Sequence, residues 1–165
     1  MKPQDILVLL KILLWKDRPW RQVDLAEELG LSQTEINFSL NRLVKSGLLD
    51  STKRRPHRLA MAEFLLHGLR YVFPAELGRV GRGMSTAHSH GSMVKRIITE
   101  EKFVWPDPDG QQRGQFLEPL YPSVPFAAKN DPDLYEWLAL IDAIRIGSSR
   151  VQILASKRIS EKMAA

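Results

Sequence analysis

The chain of 165 residues contains no cysteine. That absence removes disulfides, thiolate nucleophiles and every cysteine-ligated zinc site in one step. Long apolar runs are missing too: Lys11 interrupts the stretch from Ile6 to Trp15, which falls short of the roughly 18 residues needed to cross a bilayer. The same stretch makes a poor export signal. Asp5 precedes it, only Lys2 supplies positive charge, and Asp17, Arg18 and Pro19 stand where small cleavage-site residues belong. The expectation is a cytoplasmic protein with no membrane partner. Internal repeats and low-complexity tracts are also lacking, and 44% hydrophobic with 26% charged residues is the composition of an ordinary folded domain.

The formal net charge is +5, and its distribution is uneven. Residues 1–60 carry 11 Lys/Arg against 7 Asp/Glu, residues 61–97 carry 5 against 2, and residues 98–165 carry 8 against 10. The basic excess lies wholly in the first 97 residues, as in a nucleic-acid-binding half joined to a protein-facing half.

Helical periodicity dominates the first part. Pro3 and Asp5 suit a first turn, and the helix they open runs to Lys16. Its apolar residues occupy both faces: Ile6, Leu9, Leu10, Leu13 and Leu14 on one, Leu7, Val8, Ile12 and Trp15 on the other. So broad an apolar surface calls for a partner subunit or a second layer. Residues 22–29 read as a short helix stopped at Gly30. Ser32 with Glu35 forms a capping box that opens a helix ended by Gly47. Leu48 and Leu49 start a short strand, Ser51 to Arg58 form a basic loop, and a further helix, apolar almost all round, runs from about Arg58 to Val72.

The unit from Gln22 to Lys45 has the requirements of a helix-turn-helix: small Ala26 at the crossing, Gly30 at the turn and Ile36 as anchor. Its second helix then turns Gln33, Thr34, Asn37, Phe38, Asn41, Arg42 and Lys45 outward. Gln and Asn pair with adenine, Arg with guanine, and Phe covers a thymine methyl. The string from Trp20 to Ile36, with Leu40-Asn41-Arg42-Leu43 and Gly47-Leu48-Leu49, resembles the winged helix-turn-helix of bacterial MarR-like transcriptional regulators over about residues 3–60. That resemblance implies a second helix in the major groove, a wing beside the phosphates and a homodimer joined by terminal helices. Asn37-Phe38 departs from the polar pairs common there, so base preference is not carried over.

Beyond residue 74 the signals thin. Residues 75–95 are rich in Gly and Ser without period and read as a surface loop. Phe103-Val104-Trp105 and Gly114-Gln115-Phe116-Leu117 flank a Pro-Asp turn as an irregular hairpin, and Pro119, Pro122 and Pro125 keep the following chain extended to Phe126. Asp131 caps a helix through Ile144, and a last helix runs from Ser149 to about Lys162. Chemistry-bearing patterns are weak. Gly78 to Ser85 has the glycine spacing of a phosphate loop but Met84 in place of its lysine. His88-Ser89-His90 lacks a third metal ligand, and Ser85, His88 and Asp107 make a triad without a nucleophile elbow. The pairs Asp107/Asp109 and Asp131/Asp133 fit turn and cap chemistry.

The sequence thus predicts a mainly α protein: a winged helix-turn-helix domain (1–74), a loop and irregular β-hairpin segment (75–130), and C-terminal helices for dimerisation or a partner (131–165). The expected function is a dimeric, double-stranded-DNA-binding repressor without enzymatic activity or cofactor. The expected DNA-contacting residues are Ser32, Gln33, Thr34, Asn37, Phe38, Asn41, Arg42 and Lys45, with Lys53, Arg54, Arg55 and Arg58 on the phosphates. The competing reading is an antitoxin-like or adaptor protein whose residues 98–165 bind a protein partner.

Overall fold

In the computed structural model, which describes residues 1–165, each of the first three helices opens on an acid three residues past its N-cap. The Lys2 amide donates to Asp5 at 2.8 Å ahead of α1 (Pro3–Trp15), and the Arg21 amide to Asp24 at 2.7 Å ahead of α2 (Gln22–Leu29). The Ser32 amide donates to Glu35 at 2.9 Å ahead of α3 (Gln33–Lys45), and the Glu35 amide returns a bond to the Ser32 hydroxyl at 3.1 Å. These carboxylates occupy otherwise unpaired cap amides and sit at the positive end of each helix dipole. Gly30, at φ 64°, ends α2 in the left-handed conformation and turns the chain into α3. Leu25, Leu29, Ile36, Leu40 and Leu43 are buried.

After α3, a single bridge between Leu49 and Pro56 closes a minimal wing. A continuous helical stretch follows: α4 (Arg58–Glu63), a π turn (Phe64–Gly68) and α5 (Leu69–Val72). The chain then forms three strands, β1 (Leu77–Thr86), β2 (Phe103–Pro106) and β3 (Gln112–Leu117), and three helices, α6 (Val124–Asn130), α7 (Pro132–Ile146) and α8 (Ser149–Ala164). Asp131 caps α7 as the sequence predicts, accepting from the amides of Asp133 and Leu134 at 3.0 Å.

Three readings of the second half need correction. The glycine-rich segment expected to be a loop contains the longest strand. β2 and β3 do not pair as a hairpin; each pairs antiparallel with a successive part of β1, and they meet in parallel register at Phe103/Gln115 and Val104/Phe116, which closes a three-stranded barrel. So tight a ring brings backbones into contact. A Cβ on Gly83 would overlap the Trp105 carbonyl, and one on Gly110 would overlap the Gly83 backbone. The glycines that hid the strand are what lets it close. Lastly, Pro125 lies inside the first turn of α6, where a missing N–H costs nothing, so the chain is helical before Phe126.

Of the two expected covers for α1, a partner subunit or a second layer, the fold supplies the second layer. Ile6 to Leu10 and Ile12 are fully buried within one chain, and α7, itself buried from Trp137 to Ile144, packs against α1. One apolar core runs from Ile6 to Met163, so the three predicted segments share it. Lys11, buried on α1, pairs with Glu28 of α2 and with Asp131, at 2.7 Å, at the start of α7. Deeper still lies Asp142 of α7. Its carboxylate accepts from the Thr86 hydroxyl (2.6 Å), the Trp105 indole (2.7 Å) and Arg145 (2.7 Å). Arg145 also donates to the carbonyls of Phe73 (2.8 Å) and Glu118 (3.3 Å). Burial pushes the Asp142 carboxyl up, against the pull of Arg145 and the two other donors.

Gly83→Ala is expected to lower stability by at least about 3 kcal/mol, because the new Cβ overlaps the Trp105 carbonyl and the rigid barrel backbone must shift. At 2–4 °C per kcal/mol this lowers the unfolding midpoint by roughly 6–12 °C in a scanning experiment. Gly91→Ala, with no atom within 4 Å of the new Cβ, stays within about 0.5 kcal/mol of the parent.

Candidate nucleic-acid interface

Burial of Ile36, Ser39, Leu40 and Leu43 orients α3. Ser32, Gln33, Thr34, Asn37, Phe38, Asn41 and Lys45 are all exposed on it, so seven of the eight residues expected to meet DNA from this helix are presented to solvent. Phe38 stands out as a large apolar side chain 56% exposed in the middle of a polar face.

Arg42 is the exception. Its guanidinium binds the fully buried Asp5 with two hydrogen bonds, at 2.8 and 2.7 Å, and donates to the Ser39 hydroxyl at 3.2 Å. Asp5 in turn holds the Arg42 proton more firmly than an arginine in water does. Arg42 therefore fastens α3 to α1, and the expected reading of guanine by this side chain is corrected: its fork is already filled by a carboxylate.

The wing divides similarly. Asp50 shapes it, accepting from the Thr52 hydroxyl at 2.6 Å and from the amides of Arg54 and Arg55 at 2.9 and 3.0 Å; these donors, the hydroxyl foremost, keep its carboxyl below the usual range. Lys53 sits at the tip with φ 63°, half-buried. Arg54 donates to the Trp20 carbonyl at 2.6 Å and lies 4.0 Å from the centre of the Trp20 ring, so it ties the wing to the α1–α2 loop. Arg55 and Arg58 are exposed. Lys16, Arg18, Arg54 and Arg55 line a cleft of about 270 Å³ beside Trp20. The sequence reading missed Lys16 and Arg18; their signal was two cations in the break after α1, opposite the wing only once the chain is folded.

A second omission lies at the α2–α3 turn. The Tyr121 hydroxyl donates to Glu35 at 2.9 Å, and a Cβ placed on Gly30 would stand 3.0 Å from the Phe126 ring. The Ser32 amide and the Tyr121 hydroxyl keep the Glu35 carboxyl below the usual glutamate range. Nothing near Glu35 in the sequence announces a contact from a residue so distant along the chain.

Residues 7–50 match the family model described as winged helix-turn-helix DNA-binding. The matched stretch runs from α1 through α2 and α3 to the base of the wing, and supports DNA binding by this unit. Comparison of the chain with curated proteins and with solved structures gave no match.

The patterns that suggested other chemistry are dispersed. The Gly78–Ser85 segment is strand, not a phosphate loop. Ser85, His88 and His90 line a cavity of about 400 Å³, but Asp107 is bound to Lys129 at 2.7 Å and so does not complete a triad with them. His88 Nε2 donates to the Glu101 carbonyl at 2.9 Å, and no group of three metal-ligating side chains converges there. Asp107 also accepts from the Asp109 amide at 3.1 Å, the turn chemistry expected of it.

Arg42→Ala leaves Asp5 buried without its partner and is expected to cost about 3 kcal/mol in denaturant unfolding. Asn41→Ala, its exposed neighbour, changes stability by less than about 0.5 kcal/mol. Equal stability of the two variants would return Arg42 to the DNA-facing set.

Proposed function

We propose that this chain is a sequence-specific, double-stranded-DNA-binding transcriptional regulator, MarR-like in its DNA-reading unit and acting as a repressor. The observation that carries the reading is the coincidence of the winged helix-turn-helix match with an α3 face of exposed Gln33, Thr34, Asn37, Phe38 and Asn41. In this mechanism α3 enters the major groove by its Ser32 end. Asn37, Asn41 and Gln33 read base edges, Phe38 covers a thymine methyl, and Lys53, Arg55 and Arg58 neutralise phosphates beside it. Arg42 and Arg54 position these elements. Residues 98–165 as the main partner-binding surface, in an antitoxin-like or adaptor protein, have less support, because Phe103, Trp105 and Trp137 are spent on the core.

If about six phosphates are contacted, the logarithm of the binding constant falls with the logarithm of salt concentration with a slope of about −5. In anisotropy titrations on a site selected from random duplexes, Asn37→Ala and Asn41→Ala narrow the gap between the selected site and mixed-sequence DNA. Joint replacement of Lys53, Arg55 and Arg58 by Ala weakens both alike and flattens the slope by about 3. Absence of binding to any duplex would remove the proposal.

The homodimer remains part of this reading on narrower grounds. With α1 covered, the large apolar side chains left to solvent include Leu59 (90% exposed), Tyr71 (75%) and Ile153 (69%), on α4, α5 and α8. Two-fold pairing through these helices covers that surface, and reading two half-sites requires the paired α3 helices to lie about 34 Å apart, one turn of DNA. The expected light-scattering mass is twice the 18.8 kDa of one chain. A mass of one chain at micromolar concentration would make the regulator a monomer.

A further inference from the structure

Arg82 of β1 stands directly opposite Arg113 of β3 in the antiparallel register, so both side chains leave the same face of the barrel. Both are exposed. Neither makes an ion pair with an Asp or Glu, and neither guanidinium donates a hydrogen bond within the chain. Arg79, three residues earlier, has only the Phe116 ring, 4.9 Å away. Like charges set directly across two strands repel and weaken the sheet. Barrel closure does not require them: Gly81 and Gly83, buried, approach the Phe116 ring and the Trp105 carbonyl, while Arg82 between them is exposed. An uncompensated pair of guanidiniums is matched by an anion that accepts two forks side by side, and phosphodiesters do so.

The position of the pair indicates which phosphodiesters. The Arg82 carbonyl accepts from the Asp107 amide at 3.2 Å, and the Asp107 carboxylate holds Lys129 of α6 at 2.7 Å. One turn back along α6, Phe126 lies against Gly30 in the α2–α3 turn, and Tyr121, just ahead of α6, holds Glu35. A helix of seven residues, about 10 Å long, thus yokes the arginine ribbon to the end of α3 that opens at Ser32.

We propose that the Arg82–Arg113 face is a second contact to the DNA backbone, engaging phosphates that flank the groove entered by α3. The proposal rests on the DNA-binding reading above and adds to it: the second half of the chain extends the footprint. DNA is favoured over an acidic protein because a duplex seated on α3 carries phosphates past this end of the helix without any further partner.

The test uses the full chain and a fluorescein-labelled mixed-sequence duplex, with affinity measured across a salt series. Arg82→Gln with Arg113→Gln is expected to flatten the salt slope by about 2, and either single variant by about 1. The unfolding midpoint holds or rises, since a repulsion is removed. Wild-type slope in the double variant, with a reduced slope in the Lys53/Arg55/Arg58 variant, overturns this proposal and leaves the DNA-binding reading standing. No duplex binding by the wild-type chain overturns both. Binding of poly-glutamate that is lost in the double variant, with duplex affinity unchanged, assigns the face to an acidic protein instead.

Discussion

Asp142 and Arg145 form the polar node at which several elements meet inside the shared apolar core. Through one carboxylate and one guanidinium, α7 reaches β1 at Thr86, β2 at Trp105, the end of α5 at Phe73 and the chain after β3 at Glu118. A buried ion pair of this kind contributes little by its mere formation, because desolvation offsets attraction, but losing one partner leaves a bare charge in the core. Its effect is to specify arrangement. Apolar contacts accept many packings of similar volume, whereas five donors and their acceptors are satisfied by few. With the barrel and the α5 end fixed to α7, the remaining face of α7 is left to cover α1.

That arrangement makes the winged helix-turn-helix unit part of a larger body. α1 has its second face covered by α7, Lys11 is shared between Glu28 and Asp131, and the α2–α3 turn carries Phe126 and Tyr121 from the second half. α3 is therefore held from three sides: by its own apolar stripe, by Asp5 through Arg42, and by Tyr121 through Glu35. Under the proposed function, rigid placement of this helix serves base contacts, since a bidentate contact tolerates little displacement.

Much of the first 60 residues was legible. Each boundary there carries a local chemical signal: Pro3 and Asp5, Ser32 with Glu35, Gly30 and Gly47 at positive φ. Periodicity did the rest, separating Ile36, Leu40 and Leu43 from the exposed Asn37, Phe38 and Asn41. The helix capped by Asp131 was legible for the same reason. The barrel was not, because its signal is negative. β1 carries glycine where a strand usually shows β-branched residues, since closure of three strands leaves no room for side chains at Gly83, and the absence of a Cβ reads as a loop.

The sequence by itself determined the helices of the winged helix-turn-helix unit, their caps, and which face of α3 is polar, because those depend on interactions spanning about four residues. Only the tertiary structure decided which polar residues on that face remain available. Arg42 and Asn41 are adjacent in the chain and equally suited to a base edge, yet Asp5 lies within reach of one and not the other. It decided as well that the apolar second face of α1 meets α7 rather than another subunit, and that Arg82 meets Arg113. Such pairings join residues separated by tens of positions, and no local pattern encodes them; they follow from how buried surface and buried charge are satisfied together.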